Sequence, residues 1–427
     1  MSGFAAAAPV HKTSRHNETS SLTPNMPDSR PFPHVLVIGA GIVGAATAFY
    51  LSRAGAKVTV LDAHTPSAGA TGASDGAVSV ASKRPGVMMQ LARQARDLYA
   101  QLVHEEVLTD LFHTRPTYLF ARTELEVAVI AAQQRDLDHQ GEATLWLDRA
   151  MLMRRVPGLG ASVLAGLKVP RDGHAIGYQV THRLLSCANV VPLRHTPVQG
   201  LAVSGQRVIG VETRAGRILA DVVVLAAGID SMHFLGLDKV MIARKGQLIV
   251  TDRATFGHAV LPGPLMSASY LASKHTPTAQ PSSVSLVIDP LRTGQFLIGS
   301  SRETGVLDRQ TDIRTVATIL REAIDVYPPL VRQRVIRTFA GIRATTEDGL
   351  PIVGRHPELD GLIVATAMQG DGICLGPLVG AAVARWALGQ DSAQDLSALT
   401  PARFLTSSPG AMSQIPRVPA EPAQASV

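Results

Sequence analysis

Aromatic residues are scarce: Phe, Trp and Tyr make up 4% of the 427 residues, with two Trp. A platform that stacks single-stranded bases needs such rings, so this class of nucleic-acid binding is excluded. Cysteine is scarcer still. Cys187 and Cys374 cannot by themselves hold an iron–sulfur cluster or a structural zinc, and they offer no disulfide framework, which fits a reducing, cytoplasmic compartment. Charged residues are only 17%, and 40 Lys+Arg against 34 Asp+Glu leave a formal net charge of +6. No Lys/Arg run forms a phosphate-tracking stripe, so the excess reads as scattered solvated charge with a mild bias toward anionic ligands. His174, His182 and His233 lack metal-ligand spacing, and no metal is expected. A charged n-region followed by an apolar h-region is also missing, so no secretory signal is evident.

What the chain has in quantity is apolar material, 46% of its residues, enough for a large core. Residues 1–32 are rich in Ser, Thr, Pro, Asn and His without periodicity, and are expected to form a disordered leader; a mis-assigned start or a weak targeting peptide are the alternatives. The tail 405–427 reads the same way. Between them, short apolar runs alternate with helical spacing. Val35–Ile38, Lys57–Leu61, Val222–Leu225 and Leu362–Ala365 have the pattern of buried strands. Pro197–Leu201, Val208–Thr213 and Gly216–Ala220 read as a meander. Helices are expected at Ile42–Arg53, Met88–Val107, Val316–Val326 and Pro377–Leu388.

The longest uncharged run, Val35–Ser52, has the length of a membrane span. Its glycines argue otherwise: Gly39, Gly41 and Gly44 form G-x-G-x-x-G between a strand and a helix. The first permits a tight turn, the second lets backbone approach a pyrophosphate, and the third lets helix and sheet pack closely. Phosphates then meet the free N–H groups and positive dipole of the helix start. Asp62 ends the second strand about 18 residues after Gly44, close to the spacing of a ribose-binding carboxylate. An acid there disfavours a 2′-phosphate, which leaves FAD and NAD. The repeat of a buried strand running into Ala226-Ala227-Gly228 far downstream suggests one discontinuous nucleotide domain.

Five segments together resemble the FAD-dependent D-amino-acid oxidase-like superfamily, the group of glycine oxidase, sarcosine oxidase and D-amino-acid dehydrogenase. They are Val35–Asp62, Gly69–Ser74, Thr196–Leu201, Val222–Ser231, and Ala340–Arg343 with Asp348–Gly354 and Gly370–Ile373. The form Gly370-Asp371-Gly372-Ile373 and the run Phe296–Glu303 are similar to the flavoprotein subunits of opine oxidase, hydrogen cyanide synthase and hydroxyproline dehydrogenase. Ala367-Met368-Gln369 departs from the Gly-His that the family often shows before its flavin turn, Ala344 replaces the Pro that often follows the arginine, and Gly177-Tyr178 stands in place of the usual Asp/Asn-Pro.

The resemblance implies an α/β fold: a glutathione-reductase-like Rossmann FAD-binding domain over 34–105, 170–240 and 338–400, and an α+β substrate or cap domain with an antiparallel sheet over 106–169 and 241–337. It implies an FAD site formed by Ile38, Gly39, Gly41, Ile42, Val43, Gly44, Asp62, Ala63, Thr71, Ala73, Ser74, Val198, Ala227, Gly228, Gly370, Asp371, Gly372 and Ile373. Arg343 is the expected anchor for a substrate carboxylate, because its planar, permanently charged guanidinium grips such a group through two bonds; an ordinary ion pair with Glu347 or Asp348 is the alternative. Tyr270 either lines the substrate pocket or packs in the core. Asp371 reads as a helix-entry cap or a partner contact, Lys245-Gly246-Gln247 as a structural segment, and Cys374 as a buried inert thiol.

The expected activity is FAD-dependent oxidation of the CH–NH bond of an amino acid, imino acid or opine. The resemblance further implies a heteromeric dehydrogenase with a second flavoprotein subunit and a Cys-rich or ferredoxin-like electron carrier, soluble or peripheral to a membrane. A stand-alone amino-acid oxidase, an NAD-dependent Rossmann dehydrogenase and a non-catalytic flavin-bound scaffold are the alternatives.

Overall fold

The structure is a computed structural model that describes residues 32–254, 261–275, 282–405 and 417–419. The leader expected at 1–32 lies outside the described residues except for Phe32.

Val35–Ile38 is apolar at every position and fully buried, so it can pair on both edges. It does so in parallel, with Lys57–Leu61 on one side and Val222–Leu225 on the other. Val222–Leu225 pairs in turn with Leu362–Thr366, and an antiparallel edge strand, Ile352–Arg355, completes a five-stranded sheet. The Ile42–Arg53 helix buries most of its length, with its small residues against the Gly372–Ala387 helix. A Cβ on Gly380 would lie 2.5 Å from the Ala46 Cβ and 2.7 Å from the Thr47 nitrogen, so glycine sets how closely these two helices approach.

The second large sheet has eight strands, in the order Val335–Thr346, Met241–Thr251, Phe296–Thr304, Ser282–Pro290, Leu265–Ser267, Thr117–Ala121, Ala165–Val169 and Leu145–Asp148. All neighbours are antiparallel except Leu265–Ser267 with Thr117–Ala121, which run parallel; the antiparallel expectation needs that correction. The Ile313–Val326 helix lays Ile319, Ala323 and Val326 on this sheet, and Asp312 caps it by accepting from the Thr315 N–H at 2.8 Å. The meander Val198–Ser204, Arg207–Thr213 and Gly216–Leu219 forms a smaller sheet.

Three expectations change. The Val335–Thr346 strand runs through the boundary drawn at 338 and pairs along its length with Met241–Thr251, so residues 338–346 belong to the larger sheet. Arg417–Pro419, assigned to a disordered tail, pairs in parallel with Leu201–Val203. The last long helix begins at Gly372, one turn before the Pro377 start read from the sequence. Proline there removes the N–H that would bond the Ile373 carbonyl. The buried Tyr99 hydroxyl donates to that carbonyl instead, at 2.7 Å.

Candidate active site

A cavity of about 500 Å³ runs between the two large sheets, from the end of the first strand to the Val335–Thr346 strand. At one end, Gly39 (φ 105°) turns the chain out of the strand, and the Ile42–Arg53 helix starts without a side-chain cap. Its first N–H groups are therefore directed at the cavity, apart from the Ile42 N–H, which Thr71 Oγ1 accepts at 3.1 Å. Asp62 lies beside them, its two oxygens accepting from the Ala40 and His64 N–H groups at 2.7 Å each. These two bonds fix the carboxylate at the cavity wall and leave lone pairs facing inward.

At the far end the Gly372–Ala387 helix also starts at the cavity without a side-chain cap. The approach to it is strained: Ala367 (φ 58°) and Gln369 (φ 51°) both occupy the left-handed region. Behind the turn, Asp371 does not cap the helix. Its carboxylate points inward to Lys83 Nζ at 2.7 Å, with both side chains about 5% exposed. The cap and partner-contact expectations for Asp371 are thus corrected: it is one half of a buried ion pair that pins the turn. Burial pulls the Lys83 ammonium down, and Asp371 more than offsets it, so Lys83 stays charged. Cys374 lies next to this pair, pushed up to about 11 by burial and so a neutral thiol.

Of the residues singled out in the sequence, Ile38, Gly39, Gly41, Ile42, Val43, Asp62, Ala63, Thr71, Ala73, Ser74, Val198, Ala227, Gly228, Gly370, Gly372 and Ile373 all line this cavity, as do Tyr270 and Arg343. Gly44 and Asp371 do not. Gly44 lies against the turn, where a Cβ would come within 1.9 Å of the Gly39 carbonyl oxygen.

Arg343 enters from the Val335–Thr346 strand. Its Nη2 donates to Ser300 Oγ at 3.2 Å and to the Ser301 carbonyl at 3.4 Å. The ion-pair alternative fails: Asp348 is taken by Arg403 at 2.8 Å, and Glu347 is exposed. The guanidinium lies across Gly246 on the neighbouring strand, where a Cβ would sit 1.9 Å from Nη2. Gly246 therefore makes room for the arginine, a role its sequence neighbourhood did not disclose. Tyr270 stands nearby, its hydroxyl held protonated by burial.

The sequence matches the family described as FAD dependent oxidoreductase (DAO) over residues 34–386. The chain belongs to that family. This oxidoreductase is 26% identical over 390 residues to a glycine oxidase of Geobacillus kaustophilus, covering 87% of this chain and 97% of that one. Solved structures of similar fold include the glycine oxidase from Geobacillus kaustophilus (TM-score 0.77, 24% identity, 87% and 98% covered) and the L-proline dehydrogenase from P. horikoshii (TM-score 0.76, 21% identity, 88% and 98% covered).

The oxidoreductase's cavity suits FAD, as three features show. Two uncapped helix starts face it, one at each end. Ser67 Oγ, buried in its wall, has no hydrogen-bond partner among the described residues. The Gly69–Ser74 loop also lines it, tied to the first helix by the Thr71 bond. Among the described residues no group of three or more His, Cys, Asp or Glu is placed to hold a metal ion, and no helix is long and apolar enough to cross a membrane.

Proposed function

We propose that this oxidoreductase removes two electrons and two protons from the CH–NH unit of an amino or imino acid, the α-hydrogen leaving as hydride and the nitrogen proton passing to water, which leaves a C=N bond. The carrying observation is Arg343: a guanidinium at the cavity wall that pairs with no carboxylate among the described residues and is held by two neutral oxygen acceptors. Such a group is poised to grip the carboxylate of a small acid bidentately.

The Gly39–Gly44 turn with the first helix start would hold the FAD pyrophosphate, Asp62 the ribose, and Val198 the adenine. Gly370, Gly372 and Ile373, at the second helix start, would face the ring system with backbone N–H groups. When bound, FAD supplies the acceptor for the hydride leaving the α-carbon. Arg343 orients the substrate by its carboxylate, and much of the rate comes from that positioning. Tyr270, neutral in this pocket, closes the wall beside it. The oxidised imine then reacts with water outside any side-chain chemistry. The names of the relatives, glycine oxidase and L-proline dehydrogenase, support both primary and secondary amines as candidates.

A heteromeric assembly is the second reading. The Gly370–Ile373 form supports it, as does an outer strand of the larger sheet that begins with Val335 and Ile336 exposed. With Cys187 exposed and Cys374 buried and far apart in sequence, any cluster that passes electrons on would belong to a partner, in a cytoplasmic complex or one peripheral to a membrane.

The test is a dye-linked screen of glycine, sarcosine, proline, hydroxyproline and opines with the FAD-loaded protein. Turnover with at least one, accompanied by imine hydrolysis products, is expected. Loaded protein that turns over none of them contradicts the proposal. Peroxide formed by the isolated chain would favour a stand-alone oxidase over the assembly.

A further inference from the structure

Arg343 is one of three arginines on one face of the larger sheet. Arg244 is its direct cross-strand partner. On its other side Arg244 stands opposite Thr304, two residues from Arg302, so alternation puts Arg302 on the same face. The three side chains line a small recess of about 10 Å³ with Tyr270 and Gln369, and Arg343, Tyr270 and Gln369 also line the main cavity, so the recess adjoins it across a shared wall. The Arg302 guanidinium lies 5.7 Å from the Tyr270 ring centre.

The acids nearest these strands serve the opposite face. Lys245, between Arg244 and Gly246, takes Asp308 at 2.7 Å and Glu303 at 3.7 Å. No Asp or Glu among the described residues lines the arginine recess. Like charges directly opposite in a sheet repel, and burial makes this worse. Arg302 is pulled down to about 10 by burial, with Arg343 and Arg244 adding to the pull against Tyr270; Arg244 is lowered by burial and by Arg343. Arg244 Nε is buried with no hydrogen-bond partner among the described residues. One arginine suffices to anchor an α-carboxylate. Arg244 and Arg343, set directly opposite one another across two strands, are an arrangement that a ligand with more than one negative charge relieves.

We propose that the substrate carries a second carboxylate, bound by Arg244 and Arg302, beyond the α-carboxylate held by Arg343; this rests on the reading of Arg343 given above. The substrate class is an amine with two acid groups, either an N-carboxyalkyl amino acid or an amino acid with an acidic side chain.

The experiment uses the FAD-loaded protein and two unreactive ethers, diglycolate and its uncharged-end isostere isobutoxyacetate, with binding measured by calorimetry. Diglycolate binds roughly 10- to 100-fold more tightly, the range expected of an added charge-assisted contact. That preference collapses in Arg244→Met and Arg302→Met, and Arg244→Lys keeps part of it. Equal affinities in the wild-type protein overturn the inference without needing any variant. A second arm compares flavin reduction by iminodiacetate and N-isobutylglycine. The diacid is favoured by a similar factor if the inference holds, and equal reduction by both overturns it. Reduction by neither amine, with diglycolate still preferred, overturns the amine-oxidation reading and leaves the double-anion site standing.

Discussion

Arg343 and Gly246 form a unit: the arginine can lie across the neighbouring strand only because no Cβ is there. The closest contact is with the tip of a flexible side chain, and the Ser301 carbonyl oxygen, 3.1 Å from such a Cβ, need give by only a few tenths of an ångström, so Gly246→Ala is expected to leave the fold intact and displace the guanidinium. Its melting temperature should stay near wild type while KM for the substrate rises roughly 10-fold or more, the loss of a charged contact. An unchanged KM contradicts this placement. Glu142 illustrates a purely structural charge. Buried at 2%, it accepts from Arg96 through both oxygens, at 3.0 and 2.8 Å, and pairs with Arg93 at 2.8 Å. Burial would raise its carboxyl, and the two arginines outweigh burial and hold it below its ordinary value of 4.5. A depressed carboxyl stabilises the fold above the unfolded pKa and loses that contribution as pH falls through the folded one. Glu142→Gln should therefore be about 3–5 kcal/mol less stable near neutrality, the cost of breaking a buried pair, and that gap should narrow in urea titrations as pH drops below about 4.5. A gap that does not change with pH would contradict the assignment. Neither Arg244, Arg302 nor the Glu142 pair was legible in the sequence, because each depends on strand register or on elements far apart in the chain.

Among the elements, the Gly372–Ala387 helix shows why its start was misread. Pro377 normally marks a first turn, and here it sits inside the helix with its missing hydrogen bond replaced by Tyr99. Tyr99→Phe should cost about 1–3 kcal/mol, because it strands a buried acceptor. Pro377→Ala in that background supplies an N–H to the same carbonyl and should recover part of the loss in chemical denaturation. Additive effects of the two substitutions would contradict the link. The Ile42–Arg53 helix, by contrast, was legible from its glycines, since Gly39, Gly41 and Gly44 impose local geometry whatever the rest of the chain does. The strands Val35–Ile38 and Val222–Leu225 were legible for a similar reason: a short, wholly apolar run fits only the interior of a parallel sheet. The parallel pairing of Leu265–Ser267 was not, because a three-residue strand carries too little pattern.

At the scale of the whole molecule, two sheets bring together segments that the chain keeps apart. The first helix, the meander, the arginine strand and the last long helix meet at one cavity. Most of the wall was legible as motif, and the family match over 34–386 extends across it. At the Arg343 end of the cavity, only Arg343 and Tyr270 were legible. The central claim is that a cationic anchor holds an acidic amine against bound FAD. It is tested most directly by loading the protein with FAD, excluding oxygen, and following the visible flavin absorbance as the amine found by the dye screen is added, for wild type and Arg343→Met. The account predicts full bleaching of both, with the variant needing roughly 100-fold more substrate for the same rate. A protein that takes up no FAD, or a variant whose concentration dependence matches wild type, would contradict it.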